Sequence, residues 1–210
     1  MKTIDQAFLK SGLLIPVWLF LGVALTALAY PGYSHLDQAM SMLGAQGAPT
    51  RGVSPWVNNF PLGVLFVLFA VGVARRFSGS WLVLLSAGFV LLHGLASFGT
   101  GYFPCDAGCQ PEVPSVSQRV HNLAGLVMFV SLTAAMGLWA FLGKRQLGSP
   151  WFAVFSGACV GVSLVTVLMM GRALDEGQLF GLYQRLNYGV CVLWVAALAV
   201  MALRGRVVGN

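Results

Sequence analysis

The sequence has few charged residues. Of its 210 residues only 9% are charged, with six Asp and Glu against twelve Lys and Arg, whereas 58% are hydrophobic. Soluble domains carry about 25% charged residues. This composition excludes an ordinary soluble globular protein. The formal net charge of +6 comes without a clustered nucleic-acid-binding motif, so we expect no nucleic-acid partner.

The charges are also unevenly spaced. Six intervals contain no Asp, Glu, Lys or Arg: 11–36, 52–74, 77–105, 120–143, 146–171 and 186–203. A helix needs about 20 mostly apolar residues to cross a bilayer. The intervals predict an all-α, polytopic membrane protein with spans at about 11–30, 56–75, 80–99, 120–142, 150–171 and 185–203. We expect residues 1–210 to form a single membrane domain, since little chain remains for another core.

The basic residues indicate the orientation of the bundle. Eight of them fall at alternate ends of the six spans: Lys2, Lys10, Arg75, Arg76, Lys144, Arg145, Arg204 and Arg206. The opposite ends carry only four, which are Arg51, Arg119, Arg172 and Arg185. Because basic residues favour the cytoplasmic side, we expect both termini inside and a cytoplasmic (inner) membrane location.

The first span resembles a secretory signal peptide, because Ala27-Leu28-Ala29 after an apolar run imitates a cleavage site. The run covers 12–29 and is longer than the usual signal core of about 7–15 residues. We expect a retained helix. Past it, Ser34 is a candidate N-cap for a short interfacial helix over 35–43.

The three histidines all fall near the outer ends of the spans. His35, His93 and His121 are candidate zinc ligands, with Asp106 or Asp37 as a further ligand or general base. Under this hypothesis His93, His121 and Asp106 are the catalytic residues. A second hypothesis uses a histidine as the base for Ser41 or Ser97. In a third hypothesis the histidines only form hydrogen bonds to loop backbone. The absence of an HExxH or GxSxG motif favours this hypothesis.

Other polar residues lie at the same level, where they are costly in contact with lipid. Arg119 and Arg185 are candidates for binding an anionic headgroup, because a guanidinium matches phosphate geometry. Internal pairing with acidic residues is the alternative. On the third span, polar residues at spacings of seven, four and three form a stripe that should face the bundle: Ser86, His93, Ser97 and Thr100. Further candidate binding residues are Asn59, Asn122, Gln184 and Tyr188.

The four cysteines divide into two pairs. Cys105 and Cys109 lie four residues apart in an outer loop, and we expect a structural disulfide between them. Cys159 and Cys191 lie deep in spans and should behave as small hydrophobic residues.

The segment from Tyr30 to Ala45, YPGYSHLDQAMSMLGA, resembles the opening signature of domain-of-unknown-function family 998. Similar features follow in order: Asn59 and Gly63, Phe103-Pro-Cys-Asp106, His121-Asn122, Gly181-Leu182 and Gln184-Arg185. Met42 stands where we expect an acidic residue. The resemblance implies a six-helix bacterial membrane protein and no settled activity. We expect a non-enzymatic subunit that binds a membrane lipid or another membrane subunit. The alternative is a metal-dependent hydrolase or transferase acting on an outer-leaflet lipid.

Overall fold

Six long helices dominate the computed structural model, which describes residues 3–204 and contains no strand within that range. The helices are α1 (Thr3–Leu28), α2 (Phe60–Arg76), α3 (Trp81–Tyr102), α4 (Val116–Leu147), α5 (Pro150–Glu176) and α6 (Phe180–Arg204). A π-helical turn, Pro55–Asn59, leads directly into α2. Each segment is long and apolar enough to cross a membrane. The predicted all-α architecture with six spans is therefore confirmed.

Several helices extend beyond the predicted spans. The prediction started α4 at about residue 120, but the side chain of Ser115 accepts a hydrogen bond from the Gln118 amide and starts the helix at Val116. Ser149 caps α5 in the same way, with Pro150 at its first position. Gly148 and Gly177 end α4 and α5 with φ of 62° and 70°, a conformation that favours glycine.

The helices form a closed ring. Each helix packs against the next one in the chain, and α6 returns to pack against α1. Consecutive helices run antiparallel, so their ends form two faces. We call one the basic face, because the described helix ends there carry Arg75, Arg76, Lys144, Arg145 and Arg204. The opposite face, the loop face, carries the connections 29–54, 103–115 and 177–179. Lys2 and Arg206, which belong to the predicted basic set, lie outside the described residues.

The half of the bundle toward the basic face, the basic half, is filled with large side chains. Trp139 and Trp194 are fully buried there, and their indole nitrogens donate to Ser86 Oγ and Ser156 Oγ, both at 3.0 Å. Helix α4 approaches α5 closely at Gly143, where an added Cβ would lie 2.7 Å from the backbone nitrogen of Ala153. Small residues permit such close contacts between membrane helices.

The predicted helix over 35–43 is wrong. The structure has turns there, followed by a 3-10 helix at Met40–Gly44. The carbonyl oxygens of Leu36 and Asp37 accept from the amides of Leu182 and Gly181 at 2.7 and 3.3 Å. These bonds satisfy free amides in the first turn of α6, so the same carbonyls do not form a local helix.

Candidate functional site

A cavity of about 670 Å³ occupies the half of the bundle toward the loop face, which we call the loop half. All six helices and the two longer loops contribute to its wall. Its size is within the range of small-molecule binding pockets. The predicted candidate residues that line the cavity include Asp37, Ser41, Asn59, His93, Ser97, His121, Asn122, Gln184 and Tyr188.

His93 lies at the centre of the bundle, 1% exposed, and links three other helices. Its Nδ1 is 3.0 Å from the carbonyl oxygen of Met128 on α4, and its Nε2 is 3.0 Å from the hydroxyl of Tyr188 on α6. The ring also packs against Phe66 on α2, with centroids 4.2 Å apart. Since a carbonyl only accepts, Nδ1 carries the proton of the neutral ring and Nε2 accepts from Tyr188. The predicted polar stripe on α3 therefore faces inward, and Ser86 and Ser97 are buried with His93.

His121 lines the cavity but also stabilises the end of α3. Its Nδ1 donates to the carbonyl oxygen of Phe103 at 2.8 Å. Carbonyls at the C-terminal end of a helix lack partners within the helix. The imidazole therefore caps α3 from the first turns of α4, in agreement with the hypothesis that histidines bond to loop backbone.

The predicted three-histidine zinc site is not formed. Within residues 3–204 no group of three His, Cys, Asp or Glu side chains is placed to hold a metal ion. His35 does not line the cavity; its ring packs edge-on against Tyr33, with centroids 5.3 Å apart. Burial, and secondarily the Arg185 charge, lowers the pKa of His35. The zinc hypothesis failed because His93 lies beside Met128 on α4, about two helical turns deeper than His121, and His35 lies outside the cavity.

The predicted serine nucleophiles are also engaged elsewhere. Ser97 Oγ donates to the backbone carbonyl of Asn59 at 2.8 Å, and Ser41 Oγ lies 3.7 Å from Cys109 Sγ. Neither hydroxyl is hydrogen-bonded to a histidine in the described chain. The geometry gives no serine–histidine pair.

Asp106 holds the second loop together and does not line the cavity. Its carboxylate accepts from the amide and hydroxyl of Ser115 at 2.9 and 2.6 Å, and from the side-chain amide of Gln46 at 3.1 Å. The hydrogen bonds from Ser115 lower the pKa of Asp106. The residue predicted as a metal ligand or general base thus connects the 29–54 loop to the start of α4.

The two arginines predicted to bind a headgroup lie outside the cavity wall. Arg185 holds the first loop against α6: Nη1 donates to the carbonyls of Gln38 and Gly181 at 3.1 and 2.9 Å, and Nη2 donates to the Tyr33 hydroxyl at 2.7 Å. Burial raises the pKa of Tyr33, against the opposing effect of the Arg185 charge. Arg119 is exposed on α4. The alternative of internal ion pairing is also wrong for Arg185, whose described partners are uncharged.

The remaining predicted residues present spare hydrogen-bonding groups. Gln184 accepts from the Met40 amide at 2.7 Å through Oε1, so its NH2 group has no acceptor among the described residues. Asn122 likewise accepts from Gln118 at 2.8 Å through Oδ1. Asn59 has the opposite arrangement, because its NH2 group donates to Thr100 Oγ1 at 2.9 Å and leaves Oδ1 without a donor.

Gln118 is a site residue that the sequence interpretation missed. It is 1% exposed, lines the cavity, and connects the Asp106 amide to Asn122 through its two amide ends. A signal was present, because Ser115-Val-Ser-Gln118 has the spacing of a capping box, which marks a helix start. That pattern would have placed Gln118 inside α4 rather than at the end of a loop.

The cysteines occur as predicted. Cys105 and Cys109 form a disulfide, whereas Cys159 and Cys191 are free and buried. The disulfide loop contacts the first loop, since the Gln46 amide donates to the Cys105 carbonyl at 2.8 Å. Together the two loops cover part of the cavity on the loop face.

Comparison with known proteins gives one match. No curated protein and no solved structure matches the chain. A family model described as a protein of unknown function, DUF998, matches residues 13–201. The predicted resemblance is therefore confirmed, and the chain belongs to the DUF998 family.

Proposed function

We propose that this membrane protein is a non-enzymatic binding protein that holds one lipid in the cavity of its loop half. The observation that carries the proposal is the cavity itself, about 670 Å³ inside a ring of membrane-spanning helices. We expect a cavity at this depth to exchange its contents with the bilayer as well as with water. The molecules available to it therefore include the surrounding lipids.

On the side of α4 the cavity wall changes in polarity along its depth, as the wall of a lipid site should, whereas His93 and Tyr188 line the opposite side at the centre. On α4 the lining begins with Gln118, His121 and Asn122, and continues with Met128, Phe129 and Leu132 toward the centre. The wall from α5 is entirely apolar, with Val167, Met170 and Leu174. An amphiphile would place its headgroup near the start of α4 and its chain along α5.

The mouth of the cavity lies at the loop face. Lining residues that are also exposed mark this mouth, and they come from both loops and from the adjacent ends of α4 and α5: Asp37, Gly108, Gln110, Pro114, Asn122 and Leu174. Polar loops meet the polar first turns of α4 and the apolar cavity lining of α5 here. This is the level at which a bilayer presents its headgroups, so a lipid could enter without leaving the membrane.

We place the basic face in the cytoplasm of a bacterial cell and the loop face outside. The described basic residues at the helix ends support this orientation through the positive-inside rule. The Cys105–Cys109 disulfide on the loop face is consistent with it, because disulfides persist in oxidising compartments. The bound lipid would then come from the outer leaflet of the cytoplasmic membrane.

Photolabelling of the full chain in phosphatidylcholine nanodiscs tests the proposal. The probe is a monoacylglycerol with a diazirine in its acyl chain, and the labelled residues are identified by mass spectrometry. We expect labelling of Met128, Val167 and Met170. Gly125→Trp should abolish most of it, because Gly125 lines the cavity and an added Cβ there meets nothing within 4 Å.

Gly161→Trp is the matched control. Gly161 is exposed on α5, has equal room for a side chain, and does not line the cavity. This variant should label like the wild type. Labelling spread over the outer surface of the ring, and unchanged in Gly125→Trp, would contradict the proposal.

A further inference from the structure

The cavity wall contains no fixed positive charge. Among residues 3–204 its lining includes no Lys or Arg. The lining side chains that could bear a charge are Asp37 at the mouth and the imidazoles of His121 and His93. A phosphate placed in this cavity would lose water without gaining a cation, and burying an unpaired charge is costly.

The nearby arginines do not supply the missing charge. Both terminal nitrogens of Arg185 donate to the first loop and to α6, and Arg185 does not line the cavity. Arg119 lies one helical turn from Asn122 but is exposed and outside the lining. The site therefore differs from an anion site, in which a guanidinium contacts the ligand directly.

The wall instead offers both donors and acceptors of uncharged hydrogen bonds. The NH2 groups of Gln184 and Asn122 lack acceptors among the described residues, and Asn59 Oδ1 lacks a donor. The Tyr188 hydroxyl donates to His93 Nε2, so its oxygen still has a lone pair free to accept. A hydroxyl group complements such a wall, because it donates and accepts at the same time.

We infer that the lipid held in this cavity has an uncharged headgroup with free hydroxyls, such as a monoacylglycerol, rather than a phosphate. This inference rests on the proposed lipid-binding function and adds the chemical class of the headgroup. The Asn59, Asn122 and Gln184 side chains are the groups that would contact those hydroxyls, whereas Tyr188 lies deeper, beside His93 at the level of Met128. It also reverses the expectation from sequence that arginines select an anionic headgroup.

The test is a competition between two lipids that differ only in a phosphate. Unlabelled 1-oleoylglycerol and 1-oleoylglycerol 3-phosphate compete with the photoreactive monoacylglycerol for the full chain in nanodiscs. We expect the phosphate compound to compete at least about tenfold more weakly, the ratio that corresponds to a modest charge penalty. Equal or stronger competition by the phosphate compound would overturn the inference and leave the lipid-binding proposal standing. Failure of both lipids to reduce labelling in the cavity would overturn the lipid-binding proposal itself.

Two variants sharpen the result. Gln110→Lys adds a cation at the exposed mouth, where the glutamine side chain makes no hydrogen bond within the described chain. In this variant the concentrations at which the two lipids compete should become more similar. An unchanged ratio of these concentrations would overturn the placement of the headgroup. Arg119→Gln should leave both competitors unaffected. If Arg119→Gln weakened competition by the phosphate compound alone, an arginine would bind the headgroup, contrary to the inference.

Discussion

The two halves of this bundle are built from the same six helices but are packed differently. In the basic half the buried indoles of Trp139 and Trp194 fill the space, and each donates to a serine hydroxyl 3.0 Å away. In the loop half the helices surround a cavity of about 670 Å³. The comparison indicates that one half supplies the stability of the ring and the other leaves room for a ligand.

The halves also differ in how polar groups find partners. Both halves pair polar side chains between helices, as in Trp194 with Ser156 and His93 with Tyr188. The loop half alone adds bonds to loop backbone, as when Gln184 accepts from the Met40 amide and His121 donates to the Phe103 carbonyl. Changes to the loops should therefore affect the cavity more than the basic half.

The largest expected effect comes from truncating a large side chain in the basic half. Trp194→Ala removes a fully buried indole and leaves Ser156 without its donor. We expect a loss of about 3 kcal/mol in the free energy of unfolding, at the lower end of the range for such truncations because lipid reduces the transfer contribution. Steric trapping or thermal unfolding in detergent measures it.

Phe129→Ala is the matched truncation in the loop half. Phe129 lines the existing cavity and is only partly buried, so its removal enlarges a space that is already present. We expect a loss of less than about 1 kcal/mol. Equal losses in the two variants would contradict the division into a packed half and a hollow half.

A smaller effect is expected where α4 and α5 touch in the basic half. Gly143→Ala would place a Cβ 2.7 Å from the Ala153 backbone nitrogen, and backbone cannot rotate away. We expect a destabilisation of about 2 kcal/mol, typical of overpacking. Thermal unfolding should show it against Gly137→Ala on the same helix, where the added Cβ meets nothing within 4 Å. If Gly143→Ala were as stable as Gly137→Ala, α5 would be free to shift along α4.

The helices were predictable because lipid imposes a strong constraint: uncharged stretches of sufficient length must be helical in a membrane. The level of the site was predictable for the same reason, since polar residues such as His93 and Tyr188 are costly in lipid. Which of these residues face the cavity was not. Arg185 and Asp106 have the chemistry of a site, but loop backbone and Ser115 occupy their hydrogen-bonding groups. The conformation of an irregular loop determines these hydrogen-bond partners, and no periodicity in the sequence predicts that conformation.

The smallest expected effect is a destabilisation at low pH that is confined to the loop half. Hydrogen bonds from Ser115 lower the pKa of Asp106 below its ordinary value of 3.8, and those from Leu179 and Ser34 do the same for Asp37. Carboxylates with a lowered pKa stabilise the folded state above pH 3.8, and this contribution is lost as the pH falls through the folded-state pKa. Asp106→Asn should therefore lower the melting temperature slightly at pH 7 and by less at pH 3.

Glu112→Gln is the control for that titration. Glu112 is exposed in the same loop, and its side chain makes no hydrogen bond within the described chain. It should melt like the wild type at both pH values. Proteolysis within 103–115 reports on the same event locally, since loop cleavage should increase on acidification in the wild type while the basic half stays protected. If cleavage within the basic half increased as well, the carboxylates would be stabilising the whole ring, and the two halves would unfold as one unit.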